Sequence, residues 1–169
     1  MIFEKFKKRN NVNIFIVEDD NVYAHLLQKS LMINGFENVI IFNDATLLFE
    51  KIKNCLPDII IQDYELPGMS GYDIYQEIKK IYPQVDFIFL SGQNNINIAI
   101  NLIKSGIFDY ITKDAKTISI LIEKIDNWIS KKNYELKIKS LRKTLIITII
   151  FVLIFLIIVL MWIIFSLRK

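Results

Sequence analysis

Residues 58–71 of the chain read DIIIQDYELPGMSG. The isoleucine run predicts a strand at residues 58–62 that is buried on both faces, because a strand covered on one face alternates apolar and polar residues. The Leu-Pro-Gly sequence that begins at Leu66 predicts a turn directly after this strand. Asp63 therefore stands where a buried strand ends and a loop begins.

Other short apolar runs predict four further strands, at residues 12–17, 38–42, 86–90 and 109–112. Apolar residues at helical spacing predict helices between them, at residues 21–34, 44–54, 71–82, 94–105 and from Thr117 onward. Strands that alternate with helices predict an α/β fold with a doubly wound, five-stranded parallel sheet. Such sheets bind ligands beyond the carboxyl ends of their strands.

Polar side chains follow four of the five predicted strands. In chain order they are Glu18, Asp19 and Asp20, then Asp63, then Ser91 with Gly92, and then Thr112 with Lys113. Each alone could cap a helix or open a turn, but together they make up one site at one edge of the sheet. Clustered carboxylates suit Mg²⁺, and a carboxylate can be a nucleophile that forms an aspartyl phosphate. A lysine and a hydroxyl would stabilise the phosphoryl oxygens, so the pattern favours phosphoryl transfer.

Four segments then carry a resemblance to a known family: IFIVEDD, DIIIQDYELPGMSG, FLSGQ and FDYITKD. Together they resemble the receiver domain of two-component response regulators, of the chemotaxis-regulator type, over about residues 12–128. The resemblance implies a flavodoxin-like sheet with strand order 2-1-3-4-5. It also implies a signalling domain rather than an enzyme, with self-dephosphorylation as its only reaction. The phosphoryl donor would be a sensor histidine kinase or a histidine phosphotransfer protein.

The resemblance also assigns roles to single residues. Asp63 would be the phosphoacceptor, and Ser91 and Lys113 would hold the phosphoryl oxygens. Tyr110 would be the aromatic residue that changes rotamer as Ser91 moves. The implied ligands of Mg²⁺ are Glu18, Asp19, Asp63 and the backbone carbonyl of Glu65.

Two features need separate interpretation. Asp114 follows Lys113, where the family usually has a proline in a cis peptide. A cis bond before a non-proline residue is costly, so this loop is either reshaped or keeps a strained bond. His25, the single histidine, falls in the first helix, and we expect it on the helix surface. The donor histidine would then come from a partner.

Residues 145–167 form a run of 23 residues without a charge. A helix of that length extends roughly 34 Å, enough to cross a hydrocarbon core of about 30 Å. Residues 1–130 carry a net charge of −4, and residues 131–169 carry +7. Six cations precede the run: Lys131, Lys132, Lys137, Lys139, Arg142 and Lys143. The positive-inside rule then predicts a single-pass membrane protein whose N-terminal domain is cytoplasmic.

The predicted organisation has four parts. They are a basic N-terminal arm at residues 1–11, a receiver at 12–130, a basic juxtamembrane helix at 131–144 and a transmembrane helix at 145–167. Too few residues follow the receiver for a DNA-binding module, so we expect no nucleic-acid partner. Output would run through protein contacts at the membrane. One possible contact is a homodimer through the fourth helix, the fifth strand and the fifth helix, whose apolar stripe runs from Ile118 to Ile129.

Two alternatives remain open from the sequence. The first is an aspartate-nucleophile phosphatase of the haloacid dehalogenase type, suggested by Asp63-Tyr64-Glu65. In that family the motif normally lies on the first strand, whereas here it lies on the third. The second alternative is a receiver-fold scaffold that is never phosphorylated and works through its membrane helix.

Overall fold

One parallel sheet forms the centre of the computed structural model, which describes residues 9–92 and 96–167. Its strands are β1 Asn13–Val17, β2 Asn38–Phe42, β3 Ile59–Asp63, β4 Asp86–Ser91 and β5 Asp109–Thr112. They lie in the order β2-β1-β3-β4-β5, and every neighbouring pair is parallel. The predicted fold class and strand order are therefore confirmed.

Helices follow each strand along the chain. They are α1 Asn21–Ile33, α2 Ala45–Ile52, α3 Gly71–Ile81, α4 Ile96–Lys104 and α5 Thr117–Leu167. The starts of three helices are fixed by local capping: Asp20, Asp44 and Ser70 each accept a hydrogen bond from a backbone N–H in the first turn. Gly35, which follows the end of α1, has a φ of 88°, which favours glycine.

The third strand differs from its prediction by one residue at each end. It runs from Ile59 to Asp63, and Asp63 pairs in register with Leu90 on β4. All five residues of β3 are buried, as expected for the central strand of a sheet covered on both faces. Asp63 is thus the last paired residue of a rigid strand rather than the first residue of a loop.

The chain divides into two compact units, Met1–Trp128 and Ile129–Lys169. In the first unit, Leu121, Ile125 and Trp128 of α5 are buried, and the Trp128 indole donates to Asp86 at 2.8 Å. Much of the apolar stripe that we assigned to a pairing face therefore packs inside the domain core. A pairing face would have to use other residues.

Arg9 is the last basic residue of the predicted N-terminal arm, and it is buried. Its guanidinium donates to both carboxylate oxygens of Asp126, at 2.9 and 2.6 Å, and to the carbonyl of Asn34 at 2.5 Å. Arg9 is thus held by contacts to the folded domain, and the boundary of the basic arm at residue 11 stays a prediction. Residues 1–8 of the arm lie outside the described residues.

In the second unit most of the side chains described between residues 130 and 157 are exposed. From Leu145 to Ile157 its apolar side chains face the surroundings. Among the described residues, one helix is long and apolar enough to cross a membrane, judged by length and composition. The predicted boundaries at residues 130 and 144, and the span itself, stay predictions.

Candidate functional site

The carboxyl ends of β1, β3, β4 and β5 bring four predicted site residues to one edge of the sheet. They are Glu18 after β1, Asp63 at the end of β3, Ser91 at the end of β4 and Lys113 after β5. Because parallel strands present their carboxyl ends at the same edge, residues 95 positions apart in sequence come into contact. The structure thus brings Glu18, Asp63 and Lys113 into contact at this edge, and their roles stay predictions.

Lys113 is the residue that joins the two buried carboxylates. Its Nζ lies 2.8 Å from Glu18 Oε2 and 2.9 Å from Asp63 Oδ2. Its backbone N–H donates to the carbonyl of Ser91 at 2.7 Å, so Lys113 is fixed to the end of β4. The lysine therefore stands where the charge of a phosphoryl group on Asp63 would develop.

Burial determines the electrostatics of this edge. Glu18 is 2% exposed, and this burial raises its pKa to about 7, with the nearby charge of Asp63 acting in the same direction and Lys113 opposing. Burial works against the charge of Lys113 as well. Its hydrogen bonds to Glu18 and Asp63 outweigh that effect, and the pKa of Lys113 is raised.

Three acids could hold a divalent cation. Ligand oxygens of Glu18, Asp19 and Asp63 all lie within 4.8 Å of one another, and Asp19 is exposed to solvent. An all-oxygen donor set that is open to water on one side fits Mg²⁺, which keeps several waters when it binds carboxylates. Glu65 lies in the loop after β3, and its N–H donates to Asp63 Oδ1 at 3.2 Å. The metal role of its carbonyl stays a prediction.

Ser91 and Tyr110, the predicted switch pair, lie on the neighbouring strands β4 and β5. Ser91 is fully buried, and Tyr110 is half-buried against the hydrophobic core. Their rotamer coupling stays a prediction.

The loop after Lys113 is reshaped around Asp114. No cis peptide bond occurs in the part of the chain that the structure describes, so the strained-bond alternative is wrong. The N–H of Asp114 donates to Thr117 Oγ1 at 2.6 Å, and its carboxylate accepts from the N–H of Lys116 at 2.7 Å. These bonds turn the chain into α5, and a proline at position 114 would lack the first of them.

Two residues that contribute to the site were not identified from the sequence. A Cβ on Gly71 would lie 2.1 Å from the carbonyl oxygen of Asp63, so glycine is required where α3 starts against β3. The ring of Tyr23 lies 5.0 Å from Lys113 Nζ, in a cation–π contact. The turn sequence before Gly71 could have indicated that a glycine is needed there. Nothing in the sequence indicates that Tyr23 contacts Lys113.

The structure constrains the residue type at Gly92 and His25 less than at Gly71. A Cβ on Gly92 would meet no described atom within 4 Å, so packing of the protein itself does not require glycine there. His25 is exposed on α1, and its Nδ1 lies 2.7 Å from the carbonyl of Asn21. That position agrees with the predicted surface role.

With this geometry in view, comparisons with known proteins identify the family. The chain matches the response regulator receiver domain over residues 14–126, more than half of its length, and it belongs to that family. The Pseudomonas putida response regulator protein TodT is 31% identical over 100 residues, which are 59% of this chain and 44% of TodT. A solved receiver domain protein from Clostridium thermocellum gives a TM-score of 0.66 at 31% identity, covering 73% of this chain and 98% of that one.

Another relative is the Escherichia coli DNA-binding transcriptional regulator NtrC, 27% identical over 100 residues. Those residues are 59% of this chain but 21% of NtrC, so the chain spans less than half the length of the curated relatives named here. Our expectation of no nucleic-acid partner stays a prediction. Receiver domains are signalling domains of two-component systems that bind Mg²⁺ through acidic residues and interact with histidine kinases and phosphotransfer proteins.

Proposed function

We propose that this protein is a membrane-anchored receiver that accepts a phosphoryl group on Asp63 from a histidine kinase or a histidine phosphotransfer protein. The observation that carries the proposal is the position of Lys113, whose ammonium contacts both Glu18 and Asp63. A carboxylate oxygen of Asp63 would attack phosphorus, and the bond between phosphorus and the donor histidine nitrogen would break. The histidine nitrogen would keep that electron pair.

The residues around Asp63 would have separate roles in phosphoryl transfer. Glu18, Asp19 and Asp63 would hold Mg²⁺, which supplies positive charge against the transferring phosphoryl oxygens. Lys113 would exchange its contact with Asp63 Oδ2 for a contact with a phosphoryl oxygen. The hydroxyl of Ser91 would bind a second oxygen.

Labelling with a small-molecule phosphodonor tests the acceptor. Wild-type protein should label in Mg²⁺, and Asp63→Asn should not, because an amide is a poor nucleophile. Asp58→Asn is a matched control: Asp58 precedes the opposite end of β3, and an asparagine oxygen can still accept from the N–H of Asn13. Equal labelling of Asp63→Asn and wild type would refute the assignment of Asp63 as the acceptor, and a wild type that takes no label would favour the non-phosphorylated scaffold.

Membrane anchoring is the second part of the proposal. Its support is the exposed, apolar helix between Leu145 and Ile157, since water is a poor solvent for so many unburied side chains. Inside-out vesicles treated with protease should lose the receiver, and intact cells should protect it. The reverse pattern would contradict the cytoplasmic placement.

The output surface is the third part. On α4, Ile96, Ile100 and Ile103 are exposed, which supports a pairing face built on this helix and β5. Two anchored copies share a membrane, so even a weak contact there would pair them. Phosphorylation-dependent crosslinking through cysteines placed on α4, in a Cys55→Ser background, tests this output. Crosslinking that is unchanged by a phosphoryl mimic would contradict it.

A further inference from the structure

The helix segment just before the apolar run carries a concentrated positive charge. Residues 131–144 contain six cations and one acid, Glu135. The segment is helical throughout as part of α5, and most of its side chains are exposed. Proposed phosphoryl transfer makes no use of these residues.

The cations are not spread evenly around the helix. At 3.6 residues per turn, five of them fall within an arc of about 120°. We call this set the basic face; it consists of Lys131, Lys132, Lys139, Arg142 and Lys143, and Glu135, which lies in the same arc, lowers the net charge of the face to +4. Lys137 lies about 160° around the helix from Lys139, on the far side.

An apolar stripe borders the basic face. It is formed by Tyr134, Ile138, Leu141 and Leu145, which recur at helical spacing. Tyr134, Leu141 and Leu145 are 67%, 60% and 60% exposed. A cationic face beside an exposed apolar stripe is the pattern of helices that lie against the boundary between lipid headgroups and acyl chains.

We propose that the basic face binds anionic phospholipid headgroups. The proposal rests on the proposed membrane anchor, which begins directly after the segment. Lys143 lies about 3 Å and Lys139 about 9 Å along the helix axis from Leu145, within or close to a Debye length of roughly 8 Å. Each cation near such a surface favours the bound state roughly fivefold, so Lys139, Arg142 and Lys143 contribute most, whereas Lys131 lies about 21 Å from Leu145, beyond that range.

A dye on the apolar stripe reports this contact. The full chain carries Cys55→Ser and Ile138→Cys, labelled with an environment-sensitive dye, and is placed one copy per nanodisc. The discs contain phosphatidylcholine alone or phosphatidylcholine with anionic phosphatidylglycerol. We expect bluer emission in the anionic discs, and we expect about 1 M salt to abolish that shift because the Debye length falls to about 3 Å.

Two charge reversals serve as matched variants. Lys139→Glu should reduce the shift, whereas Lys131→Glu makes the same charge change about 21 Å from Leu145, beyond a Debye length, and should leave most of it. Equal effects of the two variants would overturn the assignment to the cations next to the apolar run.

The same experiment separates failure of this proposal from failure of the anchor. If the protein co-elutes with both kinds of disc and its dye emission is the same in both, headgroup binding is overturned and the membrane anchor is supported. Chain that co-elutes with neither would overturn both. A shift that appears in neutral discs when two copies are present would assign the stripe to a second copy instead.

Discussion

The ammonium of Lys113 lies 2.9 Å from Asp63 Oδ2 and 2.8 Å from Glu18 Oε2. Both carboxylates are buried, and this lysine contacts each of them. Its removal therefore tests the electrostatic organisation of the site separately from phosphorylation.

We expect Lys113→Ala to lower the free energy of unfolding in the absence of Mg²⁺ by about 1–3 kcal/mol. This is less than the cost of breaking a fully buried pair, because Lys113 keeps some solvent contact and Glu18 can take up a proton. Adding Mg²⁺ should reduce the loss, since the metal supplies the missing positive charge. Urea unfolding with and without Mg²⁺ measures both effects.

Lys124→Ala is the matched control for that comparison. Lys124 forms a 2.7 Å ion pair with Asp109, but its side chain is 35% exposed. Such a pair contributes at most about 1 kcal/mol, and its loss should not respond to Mg²⁺. If Lys113→Ala behaved like Lys124→Ala, Lys113 would not be neutralising the acidic cluster.

The raised pKa of Glu18 predicts a pH dependence. Between its ordinary pKa of 4.5 and its folded value of about 7, the folded protein holds a proton that the unfolded chain has lost. In the absence of metal, this group's contribution to stability therefore falls as pH rises through that window. Mg²⁺ requires the carboxylate, so its affinity should rise as pH increases toward and past 7.

Calorimetric titration of Mg²⁺ in two buffers with different ionisation enthalpies counts the protons released. Below pH 7 the wild type should release protons on binding, and Glu18→Gln should release fewer. Binding that is independent of pH in the wild type would show that Glu18 is already ionised or lies outside the metal site.

Asp19 and Asp20 are adjacent but should behave in opposite ways. Asp19→Ala should weaken Mg²⁺ binding by about tenfold or more, equivalent to about 1.4 kcal/mol, with little effect on stability because Asp19 is exposed. Asp20 caps α1 by accepting from Val22 and Tyr23, so Asp20→Ala should cost about 1 kcal/mol of stability and leave Mg²⁺ affinity nearly unchanged. Thermal unfolding and Mg²⁺ titration of both variants provide the comparison, and normal Mg²⁺ binding by Asp19→Ala would place the metal site elsewhere.

Tyr23 should assist phosphorylation by holding Lys113 in place with its ring. Tyr23→Leu removes the cation–π contact and should slow labelling of Asp63 by about two- to tenfold. Tyr23→Phe keeps the ring and should label at close to the wild-type rate. A loss in Tyr23→Phe as large as that in Tyr23→Leu would assign the effect to the hydroxyl instead.

The sequence by itself determined the order of strands and helices and the edge at which the site lies. Strands buried on both faces are recognisable as apolar runs, and the caps and glycines that limit helices act over a few residues. The composition of the site followed, because residues after successive parallel strands must meet at one edge. The error of one residue in β3 arose because the pairing of Asp63 with Leu90 depends on a neighbouring strand.

Only the tertiary structure decided which side chains touch. The contact of Lys113 with both Glu18 and Asp63, the ring of Tyr23 beside it and the bond of Arg9 to Asp126 join residues far apart in sequence. Their distances depend on how strands and helices pack, which no local pattern encodes. The apolar stripe of α5 shows the same limit, because helical spacing identifies an apolar face but not whether the protein's own sheet or a partner covers it.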